Sequence, residues 1–524
     1  MVATMASRLL GLVREKALAH YFGDKWWTDA FVSAFNIPDV IYYLLAGGAL
    51  GAALIPIMRE YVARDDIEGG HRVTNSLLNI VLLAMFAAGV LAYIFAPLLW
   101  KLGYDPVTDP RYALTVNLTR LLLPQMAIMA VSAIFTALLQ CHDHFFWPAV
   151  GWVIYNVGAI MGTIWIGPMM GGPMEHQIYG VVIGVLIGAL LLIVIQFPKL
   201  YAVGYRWRPV IELANPDVRR LGQAWLPVML TLAFSYISLQ WLPQVLGTKF
   251  SEGMVLNIRL AQRFPLLPFG LFAVAIATAA FPTMSTLASS GRLDELRHTF
   301  SKSFASIMYF ILPSSAALIV LAFPLTRMFW KSGQYSEAGV VANAQMLAFF
   351  SLGIVALSAL QLINRGFFAL RQVKTPLKVG GVVFAFNLAL CVALMHTSLS
   401  YRGISLGISI SFCLNALILF PLLRKEMGGF CGKAMLSSFL RVLVATLLMS
   451  LVMVLARDAM QHLVSSGTIH LAAKSAKFAA LEVAAGTLAA VPVYLITTLA
   501  LKVPEASRTW AKIRGKLMRQ PAAG

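Results

Sequence analysis

The chain has 524 residues, of which 59% are apolar and only 12% charged. A soluble domain carries about a quarter charged residues, so this composition excludes a soluble enzyme and equally a soluble domain on a single anchor. The formal charge of +19 gathers in particular loops, with no aromatic-lined basic groove outside the apolar runs, which excludes nucleic acid as a partner.

Apolar runs long enough to cross about 30 Å of hydrocarbon recur along the chain and predict an all-α integral membrane protein of about fourteen transmembrane helices. The first covers 4–22 and carries Arg8, Arg14, Glu15 and Lys16. Arg8 and Arg14 lie on different turns, about 120° apart around the helix. Both can line one broad cavity; the alternative is an amphipathic surface helix with snorkelling arginines. The second span covers 28–58. Asp29 follows Thr28 at its start, where an acid caps the helix, holds a cavity arginine, or does both. Asp39 follows Pro38, one turn before Tyr42 and Tyr43. A buried acid there needs a partner, and an arginine of the first span is the candidate.

Four spans follow at 74–100, 114–140, 147–168 and 177–198, and Arg120 in the fourth reads as interfacial. The next six cover 222–247, 254–288, 300–330, 339–369, 376–397 and 403–423. In the eighth, Arg259 and Arg263 share one helix face, and Pro265 and Pro268 predict a bend or break beside them. Exposed backbone next to two cations suits an anion site in a cavity; the alternative places both arginines at headgroup level. Spans at 435–457 and 476–501 and a basic tail complete the chain.

Lys and Arg concentrate in alternate loops, for example Arg59, Arg64 and Arg72, then Arg206, Arg208, Arg219 and Arg220, then Arg371, Lys374 and Lys378. The tail adds Arg508, Lys512, Arg514, Lys516 and Arg519. The richer side is cytoplasmic, so both termini are expected inside. The first helix begins almost at Met1 with no cleavage site after it, so no signal peptide is expected.

The chain also repeats. Ala53-Leu54-Ile55-Pro56 matches Ala279-Ala280-Phe281-Pro282 at an offset of 226, and Pro148 matches Pro376 at 228. Gly180, Gly184, Phe197 and Pro198 match Gly403, Gly407, Phe420 and Pro421 at 223. Two parallel six-helix lobes are therefore expected, at 1–203 and 204–434, with the last two helices and the tail at 435–524. The glycines at Gly47/Gly51, Gly180/Gly184/Gly188 and Gly403/Gly407 predict close helix contacts.

Catalytic readings find little support. Cys141-His142-Asp143-His144 and Arg64-Asp65-Asp66-Ile67-Glu68 read as solvated loops, and Cys141, Cys391, Cys413 and Cys431 as small apolar residues. There is no metalloprotease motif, P-loop or nucleophile elbow, so no enzyme, cofactor or metal is expected.

The opening block, SRLLGLVREKALAHYFG followed by TDAFVSAFNIPDVIYYLLAGGALGAALIPIM, resembles the MurJ/MviN lipid II flippases of the MOP exporter superfamily. GFFALRQVKTPLKV and FPLTRMFWKSGQYS resemble later signatures of that family. The resemblance implies a bacterial inner-membrane transporter with two lobes around a cavity and a tail groove beside the last two helices. It implies an undecaprenyl-diphosphate-linked peptidoglycan precursor as substrate and cell-wall synthesis proteins as further partners. The family's cavity arginines fall on Arg8, Arg14 and Arg263, and its span 2 acid on Asp29. The family's Arg-Arg pair and following Glu are replaced by Tyr42, Tyr43 and Gly47, and Asp39 stands where Asn is usual. Those departures keep two alternatives open: a flippase for another polyprenyl-linked saccharide, with the tyrosines stacking on sugars, or a cation-coupled exporter of the same superfamily.

Overall fold

Backbone N–H and C=O groups in hydrocarbon must find partners inside the chain, which leaves helices or closed barrels as spanning structures. The computed structural model describes residues 2–46, 49–466, 472 and 474–507, and these residues contain helices and no strand. Eleven helical runs among them are long and apolar enough to cross a membrane. Gly47 and the tail residues Arg508, Lys512, Arg514, Lys516 and Arg519 lie outside the described residues. The chain divides into two compact units, Met1–Arg259 with Ser332–Gly339, and Leu260–Lys331 with Val340–Gly524.

The first unit opens with α1 (Val2–Phe22), whose four charges keep it out of the eleven, then α2 (Trp26–Ala34), α3 (Asn36–Leu45) and α4 (Ala49–Ala63). The α2–α3 break has a local cause. Pro38 supplies no N–H to the carbonyl of Ala34 and its ring crowds that carbonyl. The Thr119 hydroxyl donates to the freed oxygen instead, at 3.4 Å. Next come α5 (Ile67–Trp100), capped by Asp66, and α6 (Pro110–Cys141), capped by Asp109 with proline in its first turn. They are followed by α7 (Phe146–Met161), α8 (Gly167–Met169), α9 (Met174–Val194) and α10 (Phe197–Ala202).

Glycines set the contact of α9 with α8 and with the π-helical turn Gly162–Ile166 that joins α7 to α8. A Cβ on Gly184 would lie 2.4 Å from the Gly162 Cα, and one on Gly180 2.5 Å from the Gly167 Cα. The two backbones touch, which only glycine allows. The unit continues through α11 (Pro216–Tyr236), α12 (Leu242–Gly247) and the start of α13 (Met254–Pro268). Its apolar core is built on Leu54, Met58, Leu78, Met85, Ile134 and Leu138.

The second unit holds the rest of α13, then α14 (Ala275–Ser289), α15 (Leu293–Val320), α16 (Ala322–Trp330) and most of α17 (Glu337–Ala369). It ends with α18 (Lys374–Met395), α19 (Tyr401–Glu426), α20 (Gly432–Ser465) and α21 (Ala476–Ala500). At Pro265 and Pro268 the helix does not break. It runs through both and widens into a π-helical turn at Phe269–Val274, an adjustment that re-pairs the displaced backbone groups. Stacked rings fill the core: Phe272 lies 4.5 Å from Phe310, and Phe300 5.0 Å from Phe430. Gly403 and Gly407 on α19 abut Leu394 and Cys391 on α18, where the nearest atoms include side chains.

Candidate functional site

An ionised side chain inside a membrane protein needs a partner or a cavity. In the first unit α1 delivers Glu15, 1% exposed, to a point between two arginines. Arg14 Nη2 donates to Glu15 Oε1 at 2.9 Å, and Arg259 Nη2 from α13 donates to the same oxygen at 3.0 Å. Each guanidinium also faces an aromatic ring: Arg14 lies 6.0 Å from the Tyr155 centroid and Arg259 5.6 Å from that of Phe35. These residues line a cavity of about 20 Å³, space for a water molecule within this unit. Two arginines around one carboxylate carry an excess positive charge, and planar guanidinium forks suit phosphate oxygens.

The remaining expected site residues are placed as follows. Arg8 is exposed and stands apart from the Glu15 cluster. Arg263 is half-buried, one turn after Arg259 on α13 and already in the second unit. Asp29 is fully buried, and its carboxylate accepts from the backbone N–H groups of Gly253 at 2.7 Å and Leu256 at 2.9 Å. It thus caps the N-terminus of α13, with the Arg111 guanidinium 3.7 Å away. Asp39 accepts from the Tyr236 hydroxyl at 3.3 Å. Tyr43 stacks on the Tyr236 ring with centroids 4.0 Å apart, so that face of Tyr43 is occupied; Tyr42 packs edge-on against Tyr43.

Sequence reasoning named Glu15 without assigning it to the site, and it missed Asp24, Arg111 and Tyr236. For Glu15 the signal was present: an acid directly after Arg14 in an otherwise apolar run. Asp24 sits in the α1–α2 turn. Its carboxylate accepts from Ser336 N at 2.7 Å and from the Ser336 hydroxyl, and Ser336 in turn caps α17 through Gly339 N. The backbone of Gly253 packs against the same turn. Its φ of +83° and a would-be Cβ 2.4 Å from the Asp24 carbonyl oxygen both demand glycine.

Membrane-length helices in two units, with an Arg–Glu–Arg cluster buried in one, define a polytopic membrane protein. The chain belongs to the family described as lipid II flippase MurJ, whose family model matches residues 18–473. It is 28% identical over 442 residues to lipid II flippase MurJ of Burkholderia cenocepacia, covering 81% of this chain and 82% of the relative. It is 26% identical over 463 residues to a probable lipid II flippase MurJ of Rhizobium meliloti, covering 87% and 85%. Among solved structures it resembles lipid II flippase MurJ in an inward closed conformation, with TM-score 0.75, 23% identity and coverage of 95% and 97%. An inward-facing multidrug resistance MATE family transporter of the MOP superfamily matches with TM-score 0.67 and 15% identity, over 80% of this chain and 94% of that one, a likeness of fold.

Proposed function

We propose that the chain carries lipid II, the undecaprenyl-diphosphate-linked peptidoglycan precursor, from the inner to the outer leaflet of the bacterial cytoplasmic membrane. The match to the flippase family over 18–473 carries this reading. We assign the diphosphate to Arg14 and Arg259, and the family resemblance adds Arg8 and Arg263 to the proposed set. Without substrate, Glu15 neutralises part of the Arg14–Arg259 charge. Phosphate oxygens entering the site compete with Glu15 for the same guanidinium donors, so the bound anion replaces an internal one. Alternating access follows from rocking of the lobes at 1–203 and 204–434 around this site.

Both termini lie in the cytoplasm, a reading supported by the Lys and Arg bias of alternate loops. The undecaprenyl tail is too apolar for a charged cavity and runs along α20 and α21, whose outer faces expose Leu447, Leu451, Leu455, Leu488 and Ile496. Proteins of cell-wall synthesis consume the lipid after it crosses.

The test is complementation of cells depleted of their own flippase, with lipid II accessibility read at the outer leaflet. The wild-type chain restores growth and accessibility. Arg14→Gln and Arg263→Gln, made at normal levels, restore neither. A wild-type chain that is abundant in the membrane yet leaves lipid II inaccessible would overturn the substrate assignment. Normal growth with either arginine variant would overturn the site.

A further inference from the structure

A second cavity lies on the outer surface of the first unit, away from the Glu15 cluster. It is a groove of about 630 Å³ between α5 and α6, within the size range of small-molecule ligand sites. Its walls are apolar: Leu82, Met85, Phe86 and Gly89 on α5 face Met126 on α6. Phe86 is 70% exposed, so the groove opens sideways, where the surrounding medium is hydrocarbon. Gly89 keeps it hollow, since a Cβ there would already meet Met126 Cε at 2.9 Å.

One end of the groove carries a charge. Arg120 Nε donates to the Tyr93 carbonyl at 3.2 Å, and its guanidinium lies 4.6 Å from the Tyr93 ring centroid. These contacts fix the group and leave its two terminal nitrogens without a protein hydrogen bond, and without a carboxylate partner, among the described residues. Arg120 is ten residues from the start of α6 at Pro110, so its Cα lies about 15 Å below that helix end. Side chains on a helix lean toward its N-terminus, so Arg120 reaches back toward the headgroup level. From Leu82 to Ile94 the groove runs about 18 Å along α5, close to the roughly 15 Å depth of one leaflet.

We propose that this groove binds one anionic glycerophospholipid of the leaflet adjoining the Trp100–Pro110 end, with an acyl chain along the trough and its phosphate on Arg120. An unpartnered arginine at this depth is costly, and a lipid phosphate supplies the missing anion in bidentate geometry. The open, apolar trough has the length of a fatty-acyl chain rather than the depth needed to enclose a soluble ligand.

The probe is phosphatidylglycerol with a photoreactive acyl chain, compared with the matching phosphatidylcholine, each diluted into phosphatidylcholine nanodiscs holding the full-length protein. Crosslinks mapped by mass spectrometry are expected on α5 and α6 along the trough, about tenfold stronger for phosphatidylglycerol. Arg120→Gln brings the two lipids to equal labelling, while Arg120→Lys keeps most of the preference. Gly89→Leu fills the trough and removes labelling by both lipids. Equal labelling by the two lipids in the wild type, crosslinks elsewhere, or a preference unchanged in Arg120→Gln would overturn the proposal. Melting temperatures of the variants confirm that each is folded when labelled.

Discussion

The first unit buries Glu15, Asp24 and Asp29 and meets them with arginines and helix N-termini. The second buries Glu482, to which the neutral Gln461 amide donates at 2.9 Å, and Glu505, which accepts from the Ser438 hydroxyl at 3.3 Å, and it fills much of the rest with stacked phenylalanines and aliphatic side chains. Both units use helices of similar length, and both close a helix pair through glycines at matching places in the repeat. Buried ion pairs recover little net stability after desolvation, so the Arg14–Glu15–Arg259 cluster points to function more than to folding.

The most disruptive way to probe this contrast is Glu15→Ala, which removes the acid that Arg14 and Arg259 share. Breaking a buried pair costs about 3–5 kcal/mol, and the unfolding transition of purified protein should show a loss of that order together with loss of transport. Next is the glycine contact. Gly184→Ala pushes a Cβ onto the Gly162 backbone and should cost about 3 kcal/mol or more, whereas Gly407→Ala meets the Cys391 sulfur and should cost about 1 kcal/mol. Equal melting shifts would show that the two contacts are alike after all. Asp29→Asn keeps one carbonyl acceptor but loses the charge at the α13 N-terminus and the attraction to Arg111. A cost of about 1–3 kcal/mol is expected, with amide exchange rising first at Gly253 and Leu256. The smallest change should come from Glu482→Gln, about 1 kcal/mol or less with transport retained. A transport defect there would mean that the second unit also works through a buried charge.

The helical spans are legible in the sequence because hydrocarbon leaves apolar runs so few alternatives. The close glycine contacts are legible because their spacing is local. Span 2 is harder. Pro38 signals an interruption, but its position at Phe35 depends on the Thr119 hydroxyl that takes over the Ala34 carbonyl. The Glu15 cluster is visible from one side only: the acid stands in α1, while Arg259 lies 244 residues further on. Asp29 after Thr28 signals a helix start, yet the start it caps is that of α13, 224 residues away. Charge and periodicity reveal that an intramembrane group must have a partner, and only packing decides which one. The departure at Tyr42 and Tyr43 suggests a sugar platform, whereas Tyr236 on α11 already occupies one face of Tyr43.

The caps on Asp24 and Asp29 also set an order of assembly. Asp24 waits for Ser336, 312 residues downstream. At a synthesis rate of about 5–20 residues per second, that donor leaves the ribosome about 15–60 s after its acceptor. Until then the α1–α2 turn is in place with the Asp24 carboxylate satisfied only by water. The front of the molecule is thus laid down early and finished late, and a nascent chain stalled before Ser336 exposes an open, hydrated turn to membrane quality-control proteases.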